Sequence, residues 1–263
     1  MDLGLSNKSV IVTAGSKGLG YATALEFAKE GAHVTIASRD AERIQSAKAA
    51  IEKETGNKQI EAVVCDMTDH QAILDLVEGV VKRHGTVDVL VNNSGGPKAG
   101  RFEDLTDEDF QTAFELNLLS FVRTIRAVLP YMKQQRSGHI LNIASSSIKE
   151  PIASLLLSNT FRTGLVGLSK TLSQEFAPSN ILINTIGPGR IATDRVRHLD
   201  EVIAKERQLD LGFIQKEQEA RIPIGRYGQP DELARIAVFL CSEANTYMTG
   251  QALLVDGGMV KAL

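Results

Sequence analysis

Tryptophan is missing from the 263-residue sequence, cysteine occurs twice, and aromatic side chains make up only 5%. Cys65 and Cys241 lie far apart and form no C-x-x-C pair, so neither a disulfide framework nor a zinc ribbon is encoded. Both read as buried thiols of a reducing compartment, and no metal site enters the reading. An excess of either charge is also missing: 29 Lys and Arg face 32 Asp and Glu, a formal charge of −3. That balance supplies neither a basic surface for nucleic acid nor a solvating acidic tail. No apolar run approaches the roughly 20 residues that cross a membrane. The opening MDLGLSNKS has neither the charge nor the apolar stretch of a secretory signal. Linkers, repeats and low-complexity segments are absent too, so a cytoplasmic protein that engages neither membrane nor nucleic acid is expected. What is present is 43% hydrophobic and 23% charged residues, enough for a complete core without metals or disulfides.

Short β-branched runs alternate with longer helical patterns along the chain. The runs are Val10–Thr13, Ala32–Ala37, Ile60–Cys65, Val87–Val91, His139–Ile143, Ile181–Ile186 and Ala252–Val255. Most are nearly continuous Val, Ile and Leu, the pattern of strands covered on both faces and hence of a parallel sheet. Between them, Leu19–Glu30, Ala41–Thr55, Gln71–His84, Asp107–Gln135, Ile152–Ala177 and Asp231–Ser242 carry apolar residues at helical spacing. Thr68-Asp69 reads as one helix cap, and Thr106 with Asp109 as a capping box. Right-handed βαβ connections then predict an α/β fold, a doubly wound, Rossmann-type, seven-stranded parallel sheet in a single domain over residues 1–263. One charged helical stretch, Asp194–Arg221, breaks the alternation. It reads either as a solvated excursion or as a substrate lid at the carboxyl ends of the strands.

The first strand runs into Thr13-Ala14-Gly15-Ser16-Lys17-Gly18-Leu19-Gly20 and then directly into a helix. Glycines permit the tight turn, and the helix N-terminus offers free N–H groups to a pyrophosphate. This segment resembles the T-G-x-x-x-G-x-G loop of the short-chain dehydrogenase/reductase family. Thr13, Gly18 and Gly20 match, Ala14 replaces the first glycine, and Gly15 is expected to take over the turn.

The resemblance runs over essentially the whole chain. Asp66-Met67 is similar to the family's adenine-contacting pair, and Asn92-Asn93-Ser94-Gly95 to its N-N-A-G segment. Pro188-Gly189 followed by Thr193 is similar to the P-G-x-x-x-T that shapes the nicotinamide end. Met248-Thr249-Gly250 and Val255-Asp256-Gly257-Gly258 complete the series.

Cofactor choice is read at the end of the second strand. Where an NAD enzyme places an acid against the ribose 2′-hydroxyl, this chain has Ser38, followed by Arg39. Arg39 can grip a 2′-phosphate with two charge-assisted bonds, and Lys17 can approach it from the glycine loop. NADP(H) is therefore expected in preference to NAD(H). Asp40 is the competing feature, since a shifted turn would bring it to a 2′-hydroxyl.

The resemblance implies a catalytic Asn, Ser, Tyr and Lys. Asn117 and Ser145 fall at the first two positions, with Ser146 or Ser147 as competitors for the second. Arg162-Thr163-Gly164 through Lys170 has the form of the family's K-A-G-x-x-G-x-x-K, which puts Arg162 at the Lys position and Ser158 at the Tyr position. Residues four apart keep one helix face, so the geometry is retained while the chemistry changes. A serine hydroxyl is a far weaker acid than a phenol, whose pKa is about 10, and a guanidinium does not give up its proton. Tyr21, Tyr131, Tyr227 and Tyr247 fall in unsuitable places, whereas Lys98 and Lys149-Glu150 lie in loops that can face a substrate. The pattern resembles an atypical subgroup similar to β-ketoacyl-carrier-protein reductases.

Two functions follow as expectations. One is an NADP(H)-dependent oxidoreductase for a small-molecule or acyl-thioester carbonyl. The other is a dinucleotide-binding protein without turnover that acts by cofactor-sensitive association. A homotetramer is expected because Phe114, Leu118, Val122, Leu165 and Leu168 cover more than one stripe of the long helices.

Overall fold

In the computed structural model, which describes residues 2–262, seven strands form one parallel sheet in the order β3-β2-β1-β4-β5-β6-β7. They are β1 Ser9–Thr13, β2 His33–Ser38, β3 Ile60–Val64, β4 Val89–Asn92, β5 Gly138–Ile143, β6 Ile181–Pro188 and β7 Ala252–Val255. The continuous apolar runs arise because both faces are covered. Val10 and Val12 of β1 pack with Phe27, Ile44 and Ala237 on one face, while Ile11 packs with Ile73, Leu76 and Val128 on the other. Strand order reverses between β1 and β4, as the doubly wound expectation requires.

The helices are α1 Gly18–Lys29, α2 Ala41–Thr55, α3 His70–His84, α4 Asp107–Phe114, α5 Ser120–Gln135, α6 Leu156–Phe176, α7 Asp194–Arg207, α8 Leu211–Ala220 and α9 Pro230–Leu240. Asp69 caps α3 by accepting from Gln71 and Ala72 N–H, and Thr106 with Asp109 forms the capping box of α4. Among the described residues, no helix is long and apolar enough to cross a membrane.

Three elements differ from their sequence pattern. The expected helix Asp107–Gln135 is divided by a π-helical turn over Glu115–Leu119, with Asn117 at its centre. A π-turn has no signature in apolar spacing, and such turns frequently occur at functional sites. Helix α6 begins at Leu156 rather than Ile152, because Ser154 adopts a left-handed φ of 60° just before it. The stretch Asp194–Arg221 forms two helices, broken at Gln208 (φ 52°) and restarted by the Asp210 cap. A buried network holds α7 in place: Arg190 donates to Asp200 Oδ1 at 2.5 Å and the Tyr227 hydroxyl to Oδ2 at 2.9 Å.

Candidate active site

The loops after β1, β2, β3, β4, β5 and β6 enclose a cavity of about 1400 Å³ at the carboxyl ends of the strands. Its wall contains Ser16, Lys17, Gly18, Leu19, Ser38, Arg39, Met67, Asn93, Ser94, Gly95, Ser145, Ser158, Arg162, Pro188, Gly189 and Thr193. Thr13, Gly15, Gly20, Asp66 and Asn117 stand behind that wall.

Helix α1 opens on the cavity with no side-chain cap, whereas α2, α3, α4, α7 and α8 each have one. Its first N–H groups are therefore available to an anion, as a pyrophosphate site requires. The glycine turn differs from expectation. Ala14 itself takes the left-handed conformation (φ 47°), and Gly15 does not, so the turn stays at the residue that replaced glycine. Gly15 is needed for space instead: a Cβ there would lie 2.9 Å from the Ile36 side chain. Gly20 passes close beneath the turn, where a Cβ would meet the Ala14 carbonyl oxygen at 2.4 Å. Thr13 joins β1 to the β4 loop, donating to the Asn93 carbonyl at 2.7 Å and accepting from its N–H at 2.8 Å. These three residues shape the loop from behind.

Asp66 has one carboxylate oxygen occupied by Thr68. Its Oδ1 accepts from Thr68 N–H at 2.9 Å and from the Thr68 hydroxyl at 2.8 Å. The backbone bond from Thr68, aided by its hydroxyl and by Arg39, holds the carboxyl below its usual range. Cys65 and Met67 on either side line the wall.

At the β2 end, Ser38 Oγ lies 3.0 Å from Ser16 Oγ. Asp40 lines the cavity but accepts from Arg43 N–H at 2.9 Å as the cap of α2. Lys17 shares the cavity wall with Arg39, and its Nζ lies 3.7 Å from Asp194 Oδ2. A further cation on the wall with Arg39 and Lys17 is Arg43, four residues on from Arg39. Sequence reasoning missed it, although i,i+4 spacing past a strand end is a usable signal.

At the other end, Ser145 starts a 3-10 turn and accepts from Ser147 N–H at 3.1 Å, so it is both a cap and a cavity residue. Ser146 also lines the cavity, whereas Ser147 sits behind it with Oγ 3.3 Å from Ser158 Oγ. Arg162 is buried at 4% exposure and donates to the Ile143 carbonyl at 2.9 Å, the Ser94 carbonyl at 3.3 Å and Ser94 Oγ at 3.1 Å. Burial, and secondarily the charge of Arg195, lowers its pKa to about 10, which leaves a cation at neutral pH. Asn117 is fully buried and donates to Ser94 Oγ at 2.9 Å and the Gly95 carbonyl at 2.7 Å, while its Oδ1 has no partner. It supports the Ser94–Gly95 wall rather than forming it.

The alternative proton donors are elsewhere. Lys98 is bonded to Asp109 at 2.6 Å, and Lys149 is exposed outside the cavity. Tyr227 bonds Asp200, and burial raises its pKa to about 12. No tyrosine lines the cavity among the described residues. Arg195 in the first turn of α7, also missed, reaches across to donate to the Pro97 carbonyl at 2.7 Å.

Residues 13–260 match the family model described as enoyl-(acyl carrier protein) reductase. The chain is 34% identical to the 3-oxoacyl-(acyl-carrier-protein) reductase FabG of Thermotoga maritima, covering 97% of this chain and 99% of the relative. It superposes with a TM-score of 0.94 and 34% identity on the Gluconobacter frateurii L-sorbose reductase solved with NADPH and L-sorbose, over 100% of both chains. A Pseudomonas aeruginosa short-chain oxidoreductase described as containing an atypical catalytic center superposes with a TM-score of 0.90 at 30% identity, covering 99% of this chain and 100% of the other.

Proposed function

Because the chain belongs to the short-chain dehydrogenase/reductase family, we propose that it is an NADP(H)-dependent oxidoreductase interconverting a carbonyl and an alcohol without the usual Tyr and Lys. One observation carries the reading: a single cavity joins an uncapped helix N-terminus, a strand end with two arginines, and the pair Ser145 and Arg162. NADPH supplies the hydride when bound. The α1 N–H groups would hold its pyrophosphate, and Arg39 with Arg43 its 2′-phosphate. Ser145 would donate to the carbonyl oxygen, and Arg162 would stabilise the alkoxide as negative charge develops. A proton from water completes the alcohol. The orphaned Asn117 Oδ1 supports a relay water on that side. NADH would bind more weakly, for want of the 2′-phosphate contacts.

Helices α7 and α8 would act as the substrate lid, and two buried thiols suit a cytoplasmic protein. A homotetramer remains the expected assembly, on a narrower apolar surface than the sequence pattern implies. Leu165 is fully buried and Leu168 packs on the core, so Phe110, Phe114 and Phe161 would supply the face. The absence of a cavity tyrosine favours a second reading, a cofactor-binding protein without turnover that acts by association.

Fluorescence titration with NADPH and NADH, followed by NADPH oxidation across ketones, quinones and acyl thioesters, tests both. Tighter NADPH binding with turnover of any carbonyl supports the oxidoreductase. Tight NADPH binding with no turnover supports the second reading, and equal affinity for both cofactors sinks the NADP(H) assignment.

A further inference from the structure

Beyond the cofactor end, the cavity contains two guanidinium groups that no carboxylate answers among the described residues. Arg162 and Arg195 are both anchored on the Ser94–Pro97 loop, yet every one of their side-chain bonds goes to a neutral oxygen. The three carboxylates that the described residues place in the cavity wall are engaged elsewhere. Asp40 caps α2, Asp194 faces Lys17, and Glu150 accepts from Lys261 N–H at 3.4 Å. Burial lowers the pKa of both arginines, and Arg195 further lowers that of Arg162. Desolvated like charges without an anion are costly, and a bound anion offsets that cost. The cavity wall also has an apolar part, Ile152, Leu155, Val196, Leu199 and Met259, beside polar residues such as His198 and Gln218.

We propose that the substrate is an oxo acid, with its carboxylate on Arg195, its ketone oxygen toward Ser145 and Arg162, and its chain against the apolar wall. This rests on the reductase reading and adds the substrate class. It differs from an acyl thioester, which brings no charge next to the carbonyl. The pyrophosphate of the cofactor is the other anion able to reach Arg195, and the test separates the two.

The full-length protein saturated with NADP+ is titrated calorimetrically with 2-oxohexanoate and 4-oxohexanoate, each against its methyl ester, so that binding is read without turnover. At least one acid should bind tenfold or more tighter than its ester, roughly the effect of one desolvated charge pair. Arg195→Gln should abolish that preference, with less than about threefold change for the ester and for NADPH, and Arg195→Lys should retain most of it. Equal binding of both acids and their esters to the unmutated complex overturns the proposal and leaves the reductase reading intact. An Arg195→Gln protein that loses NADPH affinity but keeps the acid preference also overturns it, and assigns Arg195 to the pyrophosphate. Failure of the unmutated protein to bind NADPH overturns both readings.

Discussion

Arg162 donates to the carbonyl of Ile143 at 2.9 Å, so the last residue of β5 pins the cation that stands one turn after Ser158 on α6. Held this way, the guanidinium is a fixed donor beside the cavity and not a proton source.

The double change Ser158→Tyr with Arg162→Lys should raise reduction of simple ketones by at least about tenfold, since a general acid contributes about 10²–10⁴-fold. Ser158→Ala should leave the basal rate within about threefold, because the Ser158 hydroxyl is a far weaker acid than a phenol and is bonded to the Ser147 hydroxyl. A steep loss in Ser158→Ala would identify the serine as part of the proton path. NADPH oxidation at 340 nm reads both variants.

Arg39→Asp should weaken NADPH binding by roughly 10- to 100-fold and change NADH little, as expected for losing a charge-assisted phosphate contact. Arg43→Ala should act in the same direction with a smaller effect, because its guanidinium also lies 3.5 Å from Asp40. Paired titrations of the two cofactors measure the ratio.

Ala14→Gly should be neutral or stabilising by up to about 1 kcal/mol, because a left-handed alanine is strained and glycine is not. Gly20→Ala should destabilise, since its Cβ would meet the Ala14 carbonyl oxygen at 2.4 Å. Thermal melts of both variants give opposite signs if the turn is as described.

Asp200→Asn should cost about 3 kcal/mol and loosen α7, because Arg190 would lose its buried anion. Hydrogen exchange should show faster opening of Asp194–Arg207 before the sheet is affected.

Acidification should destabilise the protein through His84. Burial first, then the charges of His33 and Arg83, hold this imidazole below its ordinary 6.5. Its Nδ1 lies 3.1 Å from His33 Nδ1, so in this contact one ring donates and the other accepts. The unfolded chain takes up this proton at higher pH than the folded one, so stability falls as pH drops from about 6.5 toward the lowered value. His84→Gln should flatten the fall in Tm between about pH 7.5 and pH 5.5; an unchanged slope would exclude the imidazole.

Much of the site was legible because family motifs are tied to strand ends, and strand ends are visible as apolar runs stopping at Gly, Asn and Ser. That reasoning located Ser145, Ser158 and Arg162, which the cavity does bring together. It did not separate residues that line the cavity from those that shape it. Thr13, Gly15, Gly20, Asp66 and Asn117 carry the motif letters but face neighbouring chain. Arg43 and Arg195 went unseen because each is one of 29 cations in a sequence where nearly all are solvated.

The order of elements, the parallel sheet and the spacing of Ser158 and Arg162 are properties of the sequence itself, because periodicity and identity are local. The tertiary structure alone decided which charges remained unanswered. Lys17 found Asp194, Asp40 found the α2 terminus and Lys98 found Asp109. Among the described residues Arg162 and Arg195 found only neutral oxygens, since pairing depends on distances between residues far apart in the chain.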